Sequence, residues 1–257
     1  MSGTLFNSIV FGPVKSRRLG VSLGMNIVPP HIKFCSFNCV YCECGWTDAS
    51  DVEHATFYAP AEIREELLKN LILLKEQGVV PDSITFAGNG EPTIHPQFDK
   101  IIDDTIELRD IYFPHARVAV LSNSTMLSDE KVLKSLMKTY NIMKLDAGTE
   151  HTFRLLNKPR IKITLNEIIE GLKKFNGNLI LQTMFIRGNI GEEIIDNTTG
   201  EELEALLQHI VSINPKEVMI YSLDRKPPMA DLEKISREEL EIIAEKIRQL
   251  NLKCSVY

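Results

Sequence analysis

"SITFAGNGEPTIHPQFDKIIDDTIELRDIYFPHARVAVLSN", residues 83–123, holds a strand, a turn, a helix and a second strand in one run. Residues 83–88 and 117–123 are short, β-branched and apolar, which reads as strand. Between them Phe98, Ile101, Ile102 and Ile106 recur at helical spacing. A strand, a crossover helix and another strand place the two strands side by side and parallel.

The same unit repeats on either side. Residues 21–28, 142–147, 179–186 and 217–223 read as further strands. Helices are expected through Ile63, Leu67, Leu71 and Leu74, through Val132, Leu133, Leu136 and Met137, and over 165–175, 203–210 and 240–250. Start signals agree: Pro60 at an entry turn, Ser128 with Lys131 in its first turn, and capping boxes at Thr164/Glu167 and Ser236/Glu239. Six strand-helix units demand a mainly parallel sheet. A complete eight-fold barrel needs about 250 residues plus loops, so the expected fold is α/β, a partial (β/α)6 TIM-like barrel open on one side. A doubly wound open sheet has the same pattern and is the alternative. Without repeats or composition breaks the chain reads as one domain over 1–257: an N-terminal loop and first strand (1–34), a cysteine loop (35–45) and the remaining units (46–257).

With 44% apolar and 25% charged residues in 257, the composition is ordinarily globular. No leader-like N-terminus or apolar run of membrane-spanning length is seen, so a cytoplasmic protein with no membrane partner is expected. The formal charge of −6 argues against a dedicated non-specific nucleic-acid binder. Residues 1–34 differ, carrying Lys15, Arg17, Arg18 and Lys33 and no acid.

Four of the five cysteines fall in "KFCSFNCVYCECG", residues 33–45. Five unevenly placed thiols cannot form a disulfide scaffold, and clustered thiols in a reducing compartment point to metal. The intervening Ser36, Phe37, Asn38, Val40 and Tyr41 are poor helix formers, so the segment reads as a loop able to wrap its thiolates around one centre. Zinc competes, with Cys44 as a fourth ligand, but its ligands normally come as two separated pairs and no second pair follows. Three cysteines on an iron-sulfur cluster leave one iron open.

"CSFNCVYC" resembles the C-x3-C-x-aromatic-C signature of the radical S-adenosylmethionine (SAM) superfamily. The resemblance implies one 4Fe-4S cluster on Cys35, Cys39 and Cys42, with SAM on the fourth iron and Tyr41 as the aromatic. Cys44 falls outside the pattern and reads as a neighbouring free thiol. "GNGEP" is similar to the superfamily's Gly-Gly-Glu-Pro stretch, which places Gly88, Asn89, Gly90 and Glu91 at the SAM amino group; the two glycines are not adjacent here. Ser122 and Asn123 stand where members bind the SAM carboxylate or ribose, and Asp146 in "KLDAG" would point into the barrel with Lys144. Gln182, Met184, Tyr221, Asp224 and Arg225 would line the mouth, and His95 reads as an orienter of its neighbours.

Over nearly the whole chain, "FGPVKSRRLGVSLGMNIVPP", "LSNST", "TFRLLNKP" and "YSLDRKPP" add a resemblance to small iron-sulfur oxidoreductases related to wyosine-tRNA synthesis enzymes. This implies a reduced flavodoxin or ferredoxin as electron donor, reductive cleavage of SAM and hydrogen abstraction from a substrate that is a small molecule, tRNA or protein. The catalytic residues toward that substrate stay unassigned. Arg17, Arg18, Arg160, Arg225 and Lys226 are candidates for anionic groups. tRNA-base modification and glycyl-radical activation remain open as the reaction, and a non-catalytic zinc module is the reading from another class.

Overall fold

The computed structural model describes residues 5–224 and 227–257. Arg225 and Lys226, named above, lie outside them. In chain order the elements are β1 (Val10–Ser16), β2 (Gly20–Met25), α1 (Ala49–Glu53), α2 (Pro60–Glu76), β3 (Ser83–Phe86), α3 (Phe98–Tyr112), β4 (Arg117–Ser122), α4 (Glu130–Leu136), β5 (Tyr140–Lys144), α5 (Glu150–Asn157) and α6 (Leu165–Lys173). There follow β6 (Ile180–Met184), β7 (Ile186–Ile190), β8 (Glu193–Asp196), α7 (Gly200–Ile213), β9 (Glu217–Tyr221), β10 (Leu232–Lys234), α8 (Arg237–Gln249) and β11 (Cys254–Val256).

The large sheet runs β1-β2-β3-β4-β5-β6-β9-β11, parallel throughout from β2 to β11. Its parallel strands lie in chain order with no reversal. A doubly wound sheet requires such a reversal, so the winding is that of a barrel. β1 pairs antiparallel with β2 at one edge, and β11 adds a seventh parallel strand at the other. The chain order also places the strands' carboxyl ends, with their loops, at one rim.

Alternation along the strands sorts apolar side chains into two clusters. Val118, Val120, Met143, Leu181, Val218 and Ile220 face the helices in the main core. Ala119, Ile142, Ile180 and Met219 face inward and pack on Leu19 from the β1–β2 turn, so the barrel interior is filled at this level, as in barrels generally. The helices bury the expected faces: in α2, Ile63, Leu67, Leu71 and Leu74 are at most 3% exposed. The capping boxes form, with Thr164 N donating to Glu167 Oε2 at 2.8 Å and Ser236 N to Glu239 Oε2 at 3.1 Å. Among the described residues no helix is long and apolar enough to cross a membrane.

Several expectations shift. α4 is capped one residue later than expected, by Asp129, whose Oδ1 accepts from both Lys131 N at 2.8 Å and Val132 N at 3.3 Å, so the carboxylate takes the capping place expected of Ser128. The apolar run 179–186 is not one strand. It breaks at Phe185, whose N–H turns to the Tyr221 carbonyl, and β7 leaves to form a small antiparallel sheet, β10-β7-β8.

Candidate active site

The cysteine loop hangs between two backbone anchors. On the N-terminal side Phe34 bridges Gly90: Phe34 N donates to Asn89 O at 2.8 Å and Glu91 N to Phe34 O at 3.1 Å. On the C-terminal side the loop zips onto the end of α5. Asn38 N donates to Asn157 O at 3.0 Å, Val40 N to Leu156 O at 3.0 Å and Arg160 N to Ser36 O at 2.8 Å. The irregular loop therefore has its backbone polar groups satisfied while its thiols stay free to face inward.

Cys35, Cys39, Cys42 and Cys44 line one cavity of about 210 Å³, together with Lys33, Tyr41, Gly88, Gly90, Glu91, Ser122, Asn123, Lys144 and Gln182. All five cysteines of the chain are free thiols. Among the described residues no three His, Cys, Asp or Glu side chains converge on one metal ion. Single-ion zinc needs sulfurs about 2.3 Å from one point, whereas an iron-sulfur cluster takes thiolates set around a wider space. A loop that presents four thiols around a cavity, Cys35, Cys39 and Cys42 among them, has the donors such a cluster takes.

Two of the thiols have a side-chain amide on them. Asn123 Nδ2 lies 3.5 Å from Cys35 Sγ, and Asn157 Nδ2 lies 3.5 Å from Cys39 Sγ. Burial pushes the Cys35 thiol up to about 12 against the pull of Lys33, and burial likewise raises Cys39 against Lys144. Cys42 is lowered, first by a hydrogen bond from Cys44 and then by Lys33, while that bond raises Cys44. Lys33 is itself 3% exposed, with Nζ donating to Gly45 O at 2.8 Å. A buried ammonium beside the loop offsets the negative charge that several thiolates would bring.

Behind the cavity wall stands a polar network. Tyr41 OH donates to Asp146 Oδ2, and Lys144 Nζ lies 2.8 Å from Tyr41 OH and 3.3 Å from Asp146 Oδ2. Burial opposes the Lys144 charge, but Asp146, Tyr221 and Cys39 together outweigh it and the ammonium is held. Asn157 Nδ2 donates to the same Asp146 oxygen at 3.1 Å, and Met184 N to the other at 2.9 Å.

The structure brings Tyr41, Gly88, Gly90, Glu91, Ser122 and Asn123 to the cavity with the cysteines. It does not bring the other two. Asp146 is 1% exposed and both its oxygens are taken by Tyr41, Lys144, Asn157 and Met184, so it braces the wall rather than facing a ligand. Asn89 turns its side chain outward to Phe6, accepting from Phe6 N at 2.7 Å and donating to Phe6 O at 2.7 Å.

The two glycines also answer to the protein's own packing. Gly88 has φ +142, and a Cβ there would meet Asn26; a Cβ on Gly90 would run into the Phe34 carbonyl. Both are small because the protein's own chain presses on them. Glu91 lines the cavity yet is engaged as a strut: Oε1 accepts from Thr93 N at 3.1 Å, Oε2 from Asn123 N at 2.5 Å, and burial raises its carboxyl.

Arg18 enters the barrel, donating to Gln182 Oε1 at 2.7 Å with its guanidinium 4.9 Å from the Tyr221 ring. Arg17 instead pairs with Asp224 at the surface, at 3.1 Å. Met184 and Asp224 are not at the cavity, and His95 is buried, its Nε2 on the Tyr58 carbonyl at 3.0 Å. Asn157 has no counterpart among the residues expected from sequence. Its only signal was its place in "TFRLLNKP".

The family model for the Radical SAM superfamily matches residues 30–198, a span that includes the cysteine loop and the strand ends facing it. The chain belongs to the radical SAM superfamily. Members of that superfamily are enzymes that use a 4Fe-4S cluster and SAM and need a reductant. Among relatives, a protein called "GTPase Obg" from Brachyspira hyodysenteriae is 31% identical over 237 residues, 90% of this chain and 32% of that one. The UPF0026 protein MJ1312 of Methanocaldococcus jannaschii is 32% identical over 86% of this chain and 65% of its own length. The chain thus spans about a third of the first relative and under two thirds of the second. A radical SAM methyltransferase from Sphaerobacter thermophilus shares the fold, with a TM-score of 0.67 at 14% identity over 92% of this chain and 65% of that one.

Proposed function

We propose that this radical SAM enzyme cleaves SAM reductively and abstracts a hydrogen atom from a substrate held in the barrel interior. The observation that carries the reading is the shared cavity: Cys35, Cys39 and Cys42 open onto the same space as Gly88, Gly90, Ser122 and Asn123. In this reading the three thiols hold the 4Fe-4S cluster, which when bound supplies one electron to SAM and so yields methionine and a 5'-deoxyadenosyl radical.

The chain's own residues hold and shield that chemistry. The two backbone anchors fix the loop, and Asn123 and Asn157 orient the thiols of Cys35 and Cys39. Gly88 and Gly90 present backbone rather than side chain to the cofactor, and Ser122 is positioned to meet its polar groups. Lys144 and Gln182 lie on the inner wall beyond, where a substrate would reach. The filled layer of Leu19, Ala119, Ile142, Ile180 and Met219 closes the interior below and keeps water out.

The electron donor is a reduced flavodoxin or ferredoxin. For the substrate, a small molecule fits better than tRNA: the chain's charge is −6, and the cations lining the interior cavities, among the described residues, are Lys33, Lys144 and Arg18. Anaerobic reconstitution followed by dithionite tests the reading. It predicts a brown protein that releases 5'-deoxyadenosine and methionine. A colourless protein with one bound zinc, or a cluster that leaves SAM intact, would overturn it.

A further inference from the structure

The cysteine loop is zipped onto residues 156–160, and the far side of that zipper is an unusual surface. Trp46, the sole tryptophan of the chain, is 44% exposed, two residues beyond Cys44. Lys158 Nζ stands 5.6 Å from its ring. The next residues complete "KPRIK", 158–162, which carries three cations and no acid in a chain with six more acids than bases. Ile161 within it is 42% exposed, and Arg160 and Lys162 are exposed.

Lys158 turns to the Trp46 ring, while Arg160 and Lys162 reach solvent. Arg160 lies near Asp48 and Lys162 near Glu167, but Asp48 is occupied by Ser50 and Glu167 by Thr164. Residues 46–48 belong to the same surface, because Asn38 of the loop ties to Thr47 N at 2.7 Å. Exposed aromatic and aliphatic side chains ringed by cations on one face form a protein-docking pattern rather than a solvated turn.

Its position says what docks. The cavity thiols are buried or half-buried, and an electron must reach them from outside. This face is one residue from Asn157, whose side chain touches Cys39 Sγ. A partner bound here stands against the backbone that carries the cysteines. We propose that Trp46, Lys158, Arg160, Ile161 and Lys162 form the docking face for a small acidic one-electron carrier protein, an inference that rests on the reductive reading above. The cations steer the acidic partner, and Trp46 and Ile161 provide the dry centre of the contact. A nucleic acid would also be drawn by cations, but three of them without a longer basic track make a short footprint for a polyanion.

The test uses the reconstituted holoprotein and a reduced acidic flavodoxin as probe, with dithionite in parallel. The variants are Arg160→Glu/Lys162→Glu, Trp46→Ala, and a control with the same charge change on α4, Lys131→Glu/Lys134→Glu. Bleaching of the cluster is followed by stopped flow and flavodoxin binding by titration, at about 20 and 200 mM salt, conditions that span strong and weak screening. The proposal expects flavodoxin-driven reduction to fall with salt in the parent. It expects a loss of about tenfold or more at low salt in the double reversal, a smaller loss in Trp46→Ala, and no change in the control or in any dithionite rate.

Equal flavodoxin rates and affinities in the double reversal and the control would overturn it. So would loss of tRNA-transcript binding with flavodoxin reduction intact, which would make this an RNA face. If the parent assembles no cluster or leaves SAM intact with dithionite, the reductive reading fails. The binding titration still decides the surface in that case, since flavodoxin affinity lost only in the patch variants supports the face and equal affinity refutes it.

Discussion

Asn157 offers the sharpest test of how the site is braced. It is 2% exposed, and its Nδ2 donates to Asp146 Oδ2 at 3.1 Å while touching Cys39 Sγ and Tyr41 OH. Asn157→Ala removes a hydrogen bond to a buried carboxylate, a loss of about 1.5–3 kcal/mol. Asn157→Asp keeps the shape but sets a second carboxylate where the donor was. Two unit charges 3.1 Å apart repel by roughly 5 kcal/mol at an effective dielectric of 20, before Lys144 offsets part of it. Asn157→Asp should therefore fall below Asn157→Ala by at least about 2 kcal/mol at pH 7.5, although it is the more conservative change by volume.

The pH dependence has a definite sign. In Asn157→Asp the two like charges raise the folded pair's affinity for a proton above that of the unfolded carboxyls. The deficit is full above the folded pair's titration, shrinks as pH falls through it, and is gone below the unfolded value of about 3.9. Urea denaturation of the apoprotein under reducing conditions, at pH 7.5 and at pH 5, reads this directly. If Asn157→Asp equals or exceeds Asn157→Ala in stability at pH 7.5, the network is not built as described.

Three other outcomes are expected. Lys144→Met strands Asp146 without its buried cation and should cost about 3–5 kcal/mol, read from the same denaturation curves. Gly90→Ala drives a Cβ into the Phe34 carbonyl, so it should loosen the anchor before Cys35 and lower iron bound per chain after reconstitution, whereas Gly200→Ala, with open space at its Cβ, should leave iron content unchanged. Burial lowers the His95 pKa, and its Nδ1 accepts from Gln97 N at 3.1 Å, so the folded ring stays neutral. Stability should then decline as pH falls from about 6.5 through the depressed folded value, and His95→Gln should flatten that decline in denaturation measured at pH 7 and 5.5.

The parts of the molecule legible in sequence are those where local pattern and tertiary environment agree. The helix faces of α2 and α3 and the strand core of β3 and β4 repeat an apolar period that the barrel then buries. The break after Met184 was hidden because Phe185 and Ile186 are as apolar as a continuing strand, and only the carbonyl of Tyr221 across the sheet turns the chain. β11 is three residues at the end of α8, too short to show a period. At the site, the cysteine spacing and the Gly-Asn-Gly turn located the cavity, but not the duties within it. Asn89 and Asp146 are polar residues at strand ends, as a ligand contact would be, and the structure uses them to tie down Phe6 and to brace Tyr41. Asn157 comes to Cys39 through backbone pairing between segments 118 positions apart, which no local pattern reports.

We propose that Cys35, Cys39 and Cys42, and not Cys44, carry the iron-sulfur cluster at which SAM is cleaved. Iron and sulfide should be counted, with 5'-deoxyadenosine release under dithionite, in Cys39→Ala beside Cys44→Ala. The account predicts about four irons and four sulfides per chain with release retained in Cys44→Ala, and loss of both in Cys39→Ala. A Cys39→Ala protein that holds the full cluster and releases 5'-deoxyadenosine at the parent's rate would contradict it.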